Sequence, residues 1–358
     1  MWASVSSGGA GLGPIIGGFL LEHYWWGSVF LINFPVVIIA LIASIFLIPH
    51  IKGNKSTKWD SLGSVQILIG LVGLVYAVKE ISRRGGEIEV GVIAGLIGAI
   101  AMFFFIKRQR KSSSPLIDLQ LFRNTKFASG VLTALLATFS LVGMEFVFTQ
   151  RFQLVLGMSP LKAGLFTVAI SIASFLSGAL LGLIMHRVSI LKIQYISLFI
   201  AGLGVGSYLL FYEAQPFVQI ICLLIFGTGV GGATTSASAS IINNVPEEKA
   251  GMAASIEEVS FEIGGAFGVA TLGSMASFMY TASLTTPAGL VIPPEAHDSL
   301  DEALLAAETL PAQAGLKLIE IAKAAYDDSF IAVLLTSSLL LILTAVAVTV
   351  ISRRSRVS

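Results

Sequence analysis

Apolar residues gather into long runs separated by short polar breaks, at roughly 1–21, 27–49, 61–79, 88–106, 127–149, 160–184, 191–212, 217–242, 252–279 and 329–352. Each run is long enough to cross a hydrocarbon core of about 30 Å as a helix. The pattern predicts an all-α polytopic membrane protein with ten spanning helices. Glycines punctuate several runs, at Gly9, Gly13, Gly17 and Gly18 in the first and at Gly227, Gly229, Gly231 and Gly232 in the eighth. Lipid gives helices no hydrophobic reason to associate, so small faces that admit close backbone approach mark their contacts. Pro14 inside the first glycine ridge predicts a close, kinked contact there. The longest polar stretch, about 280–328, holds eight acids against Lys317 and Lys323. Its second half keeps helical leucine spacing from Leu300 and places Glu320 to pair with Lys323. It reads either as a short helical hairpin on the membrane surface or as a solvated loop.

Composition supports the membrane assignment: 55% of residues are hydrophobic and 12% charged, about half the charged share of a soluble domain. A net charge of +1 says nothing about partners. Its distribution does, because Lys and Arg collect in cytoplasmic loops. Running the first helix outward puts 50–60, 107–126, 185–192, 243–250 and the C-terminus inside, with 15 basic residues against 7 on the other side. Both termini are therefore expected in the cytoplasm and 280–328 outside. The basic run Lys107 to Lys111 sets topology or holds anionic lipid headgroups. Cys222 is the sole cysteine and lies in an apolar run, which marks a packing residue. The N-terminus lacks a charged n-region and a cleavage site, so no signal peptide is expected.

Two strings, Gly9-Ala-Gly11-Leu-Gly13 and Gly227-Thr-Gly229-Val-Gly231-Gly232, echo a dinucleotide fingerprint. Neither has the strand before it and the acid after it that such a site needs. A Walker-type phosphate loop is absent as well, so this chain does not draw on ATP hydrolysis. His23, His50, His186 and His297 all fall in loops or at helix ends, leaving no intramembrane set for hydrolysis or metal catalysis. No enzyme activity, cofactor, metal or nucleic-acid partner is expected.

Glu257, Glu258 and Glu262 lie inside an otherwise spanning helix. One such acid at the bilayer centre costs about 2.5–3.5 kcal/mol, so the three must face protein or water. Glu258 and Glu262 share a helix face one turn apart, whereas Glu257 points elsewhere. Desolvation and a like-charged neighbour both favour the protonated form, and a free carboxylate holds an organic cation. The group reads as a proton and cation site, or as acids tied by hydrogen bonds to a neighbouring helix. Glu145, flanked by Met144, Phe146 and Phe148, is either a further cation contact or a rim group near Arg151 that reaches for the interface.

Gly9-x3-Gly13-Pro14-x2-Gly17-Gly18 resembles the antiporter signature on the fifth helix of Major Facilitator drug exporters. Similar matches are Trp26-Gly-Ser-Val-Phe30-Leu-Ile-Asn33-Phe-Pro35, Pro115-Leu-Ile-Asp118, Gly157-Met-Ser159-Pro160 and Pro246-Glu-x-x-Ala250-Gly251. The helix bearing Glu257, Glu258 and Glu262 is similar to helix thirteen of the fourteen-helix drug:proton antiporters, and the whole chain most resembles their quaternary-cation and methyl-viologen exporters. The resemblance implies residues 1–49 as the last two helices of an N-terminal bundle and 50–126 as a central two-helix insert with its links. It implies 127–358 as a C-terminal six-helix bundle. Four family helices are absent before residue 1, so the chain is expected to be a truncated form that inserts without conferring resistance alone. The implied activity is exchange of protons for lipophilic or quaternary-ammonium cations across the inner or plasma membrane, with membrane lipids as the other partner. The alternative is a non-transporting remnant or assembly partner.

Overall fold

The computed structural model of the chain describes residues 2–47, 60–82, 87–112, 115–287 and 292–354. Lys52, Lys55, Lys58, Arg83 and Arg84, which entered the charge count, lie outside them. The apolar runs form helices α1 (Trp2–His23), α2 (Ser28–Leu31), α3 (Asn33–Leu47), α4 (Ser61–Ser82), α5 (Ile88–Lys111) and α6 (Thr125–Gln150). Then come α7 (Pro160–Ile184), α8 (Ile190–Phe211), α9 (Pro216–Ile242), α10 (Ala250–Ser283), α11 (Leu300–Thr309) and α12 (Ala312–Arg354). Among the described residues nine segments are long and apolar enough to span a membrane, with α2 and α3 counted together. The first of the ten expected spans forms α1, a helix of 22 residues whose first side chains lie outside the described residues.

Helices α6, α7, α8, α9, α10 and α12 pack around one core that includes Met144, Phe148, Phe152, Tyr208, Phe226 and Phe330. Glycine faces make this possible. A Cβ on Gly227 or Gly231 would strike the backbone of α7, and one on Gly229 the backbone of α8, so α9 sits wedged between them. In the same way Gly264 and Gly268 bring α10 against the carbonyls of Leu135 and Phe139 on α6. Helices α4 and α5 form a hairpin closed by Gly70, Gly73 and Gly98, and α4 lies against α10. No residue of α3 is buried.

In α1 the contact surface differs from the expected ridge. Gly11 and Gly18 meet Ser171 and Leu161 of α7, and Gly164 of α7 meets the carbonyl of Pro14. Gly9, Gly13 and Gly17 have open space where a Cβ would stand. The helix runs through Pro14 as one element. The i, i+4, i+8 glycines thus share a face turned away from α7, because residues 11, 14 and 18 occupy the contacting one.

In the polar stretch α11 and the start of α12 form a helical hairpin, with Gly315 against the Ala307 carbonyl. The expected second arm is the start of α12, which continues unbroken for 43 residues, about 65 Å. No Gly or Pro occurs after Gly315 to stop it. Lys317 pairs with Glu320 at 2.8 Å, in place of the expected Glu320–Lys323 pair. Cys222 is buried in the core, as its apolar setting suggested. Below, the end of the bundle with the 115–124 segment and the α9–α10 turn is the link end; the end with α11 is the hairpin end.

Candidate proton and cation site

Helix α10 starts at the link end after Lys249 and carries its acids two to four turns in. Glu257 is 4% exposed and faces α9, where the hydroxyl of Ser238 supports its carboxylate while Oε1 has no partner. Glu258 and Glu262 are exposed, one turn apart, on a face of α10 that the chain's other helices leave open. The structure therefore separates the three acids into one inside the bundle and two on its surface. Among the described residues neither Glu258 nor Glu262 has an ion-pair or hydrogen-bond partner.

Glu145 is not brought to them. Helices α6 and α10 run in the same direction, and Leu135 meets Gly264, Gly143 meets Leu272 and Phe146 meets Gly273. Along that shared axis Glu145 stands about twelve residues, on the order of 18 Å, closer to the hairpin end than Glu262. Helix α6 continues past Glu145 as a π-turn over Arg151–Val155, making one span from Thr125 to Val155. Glu145 lies well inside that span, half-buried, with its carboxylate unpaired among the described residues.

Arg151 does not reach for the interface. It is 2% exposed and donates from Nε to Asp327 Oδ1 of α12 at 2.7 Å and from Nη1 to the Tyr212 carbonyl at 3.3 Å. Its guanidinium also lies about 5 Å from the ring centres of Tyr212 and Phe330. Spacing in the sequence does not reveal this pair, because 280–328 reads there as a surface hairpin or a loop and not as part of the last spanning helix. The absence of helix breakers between Leu316 and Arg354 is the signal that would have placed Asp327 on a helix.

Between α4, α6 and α10 lies a cavity of about 540 Å³. Phe146 and Gln150 of α6, Ala266 and Gly273 of α10, and Val75 and Lys79 of α4 line it. Phe146 is exposed and lines the cavity, whereas Glu145, one position earlier and about 100° round α6, does not. Among the described residues no group of three or more His, Cys, Asp or Glu stands where it could hold a metal ion.

Unpaired acids on helices of spanning length and small-residue packing between them are features of membrane-embedded rather than of soluble domains. The sequence profile of the Major Facilitator Superfamily matches residues 1–269. The chain belongs to the Major Facilitator Superfamily. It is a multi-pass membrane transporter and not an enzyme. Within the superfamily it is similar to the methyl viologen resistance protein SmvA of Salmonella typhimurium, 32% identical over 351 residues, covering 97% of this chain and 70% of the relative. The multidrug efflux pump LfrA of Mycolicibacterium smegmatis is 32% identical over 359 residues, covering 99% and 71%. The multidrug resistance protein Stp of Mycobacterium tuberculosis is 30% identical over 288 residues, covering 79% and 53%. The Major Facilitator match thus takes in α1 and most of α10, including all four acids.

Proposed function

We propose that this Major Facilitator protein is a drug exporter that exchanges protons for lipophilic or quaternary-ammonium cations across the inner or plasma membrane. The observation that carries the reading is the exposed pair Glu258 and Glu262 on a spanning helix. Facing lipid, two carboxylates would cost about 5–7 kcal/mol on the insertion scale. The open face of α10 is instead the wall of a water-filled path. There the pair alternates between proton-bound and cation-bound states as the path changes sides. Moving one charge through 100 mV is worth about 2.3 kcal/mol, enough to bias the cycle. Glu145, further along the path, makes the second cation contact.

In this reading the link end is cytoplasmic, since the basic residues gather there, and both termini are inside. Residues 1–49 belong to one bundle, 50–126 form the insert and 127–358 the other bundle. The Gly9–Gly18 segment, which meets α7 through Gly11, Pro14 and Gly18, serves as the sliding contact between bundles. The names of SmvA and LfrA support the substrate class.

Transport of methyl viologen in membrane vesicles tests the proposal. Export is expected to stop with a protonophore and with Glu262→Gln at normal membrane abundance, and to fall less with Glu257→Gln. Export that survives a protonophore but ends on ATP depletion would remove proton coupling. Wild-type rates in both Glu258→Gln and Glu262→Gln would move the site to Glu145.

A further inference from the structure

The α4–α5 hairpin is joined to the acid-bearing helix by an unbroken chain of polar contacts at the link end. Asp60, just before α4, accepts from the Gly63 amide at 3.0 Å and from Arg108 of α5 through both carboxylate oxygens, at 3.0 and 2.9 Å. Gln109, next on α5 and 3% exposed, donates from Nε2 to Asp60 Oδ2 at 3.4 Å. Its Oε1 accepts from the amides of Leu116 and Ile117, at 2.7 and 3.4 Å. Asp118 follows at once. Its amide donates to the sulfur of Met252 in the first turn of α10, and its Oδ2 accepts from Lys249 Nζ at 2.6 Å. Ile117 and Leu121 seat the same segment in a small apolar core with Ala253 and Ile256 of α10.

We infer that residues 115–118 are a clamp through which the α4–α5 hairpin sets the position of α10, with Gln109, Asp118 and Lys249 as its positioning residues. Three features carry this. Gln109 is a buried side chain whose amide spans two elements, so losing it breaks a polar contact to each and leaves the amides of Leu116 and Ile117 without their side-chain acceptor. The clamp grips α10 one to two turns before Glu257 and Glu258, too close for the acids to shift independently of it along a rigid helix. Finally, α4 touches α10 again at the other height, where Val75 and Lys79 share the 540 Å³ cavity with Ala266 and Gly273. A hairpin fastened at two heights moves with α10 as one body. It is a lever on the acid helix rather than a spacer between bundles.

Hydrogen exchange on the intact protein in nanodiscs tests the clamp without reference to any substrate, so the result stands apart from the transport reading. Gln109→Leu is expected to speed exchange of the Leu116 and Ile117 amides at least tenfold, and that of the α10 amides from Ala254 to Ser260 at least threefold. Gln109 makes none of the hydrogen bonds of α10, so a merely local role would leave that second segment unchanged. Faster exchange at Leu116 and Ile117 with wild-type exchange over 254–260 would overturn the inference. Asp118 and Lys249 are partly exposed, so their variants test it even if Gln109→Leu does not fold. Asp118→Lys and Lys249→Asp singly are expected to loosen 254–260, and the two together to restore it. Failure of the reversed pair to restore exchange, or singles without effect, would equally reject the clamp.

Discussion

The Arg151–Asp327 pair shows how much one buried charge depends on its partner. The Arg151 side chain is 3% exposed and that of Asp327 26%, so the two ends of the bond are not equivalent. Asp327→Asn leaves a guanidinium buried without its counter-ion, a loss of about 3 kcal/mol by the usual cost of breaking such a pair. Arg151→Leu leaves a carboxylate that water can reach and fills the space between Tyr212 and Phe330 with an apolar group. It is expected to destabilise clearly less. Thermal unfolding in detergent should therefore rank Asp327→Asn below Arg151→Leu, and the reverse order would mean that Arg151 is solvated. Glu257 poses the same question without a counter-ion. One of its oxygens is buried and unpaired, so Glu257→Gln, which keeps the shape and sheds the charge, is expected to leave stability unchanged or raise it.

At the scale of elements, glycine decides which helices touch. Gly231 approaches the backbone of Ser174, where nothing can move aside for a larger side chain. Gly231→Leu is expected to push α9 off α7 and abolish the monodisperse folded peak in size-exclusion chromatography. Gly17→Leu, with open space around its Cβ position, should leave both that peak and export intact if the sliding contact is the face of Gly11 and Gly18. A normal folded peak for Gly231→Leu would contradict the packing. Impaired export by Gly17→Leu would show that the sliding role does not belong to the face of Gly11 and Gly18. Sequence spacing alone could not make this distinction, since Gly11, Gly17 and Gly18 all sit on one helix and only the partner helix determines which of them is covered.

The molecule as a whole is pinned at the link end by carboxylates. The Arg108 guanidinium holds the Asp60 carboxyl down at about 2, and the Lys249 ammonium holds that of Asp118 below its ordinary range. A carboxyl depressed in the folded state stabilises fully above its unfolded value and loses that contribution as pH falls through the folded one. For Asp60 the window runs from 3.8 down to about 2. The double variant Asp60→Asn with Asp118→Asn is expected to flatten the fall of Tm with pH across that window. Identical slopes for variant and wild type would show that the link end does not govern acid stability. Hydrophobic run length by itself determined that this is a polytopic helical membrane protein, and where nearly every helix lies, because hydrocarbon thickness imposes its length on any spanning segment. The residue types also determined that Glu145, Glu257, Glu258 and Glu262 are costly enough to matter, since an acid's desolvation is a property of the group. Only the tertiary structure decided that Glu257 turns inward while Glu258 and Glu262 stay open, that Glu145 stands apart from all three, and that Arg151 finds Asp327 across 176 positions of chain. Those outcomes depend on which face of each helix meets a neighbour, and that is set by backbone approach between segments distant in sequence.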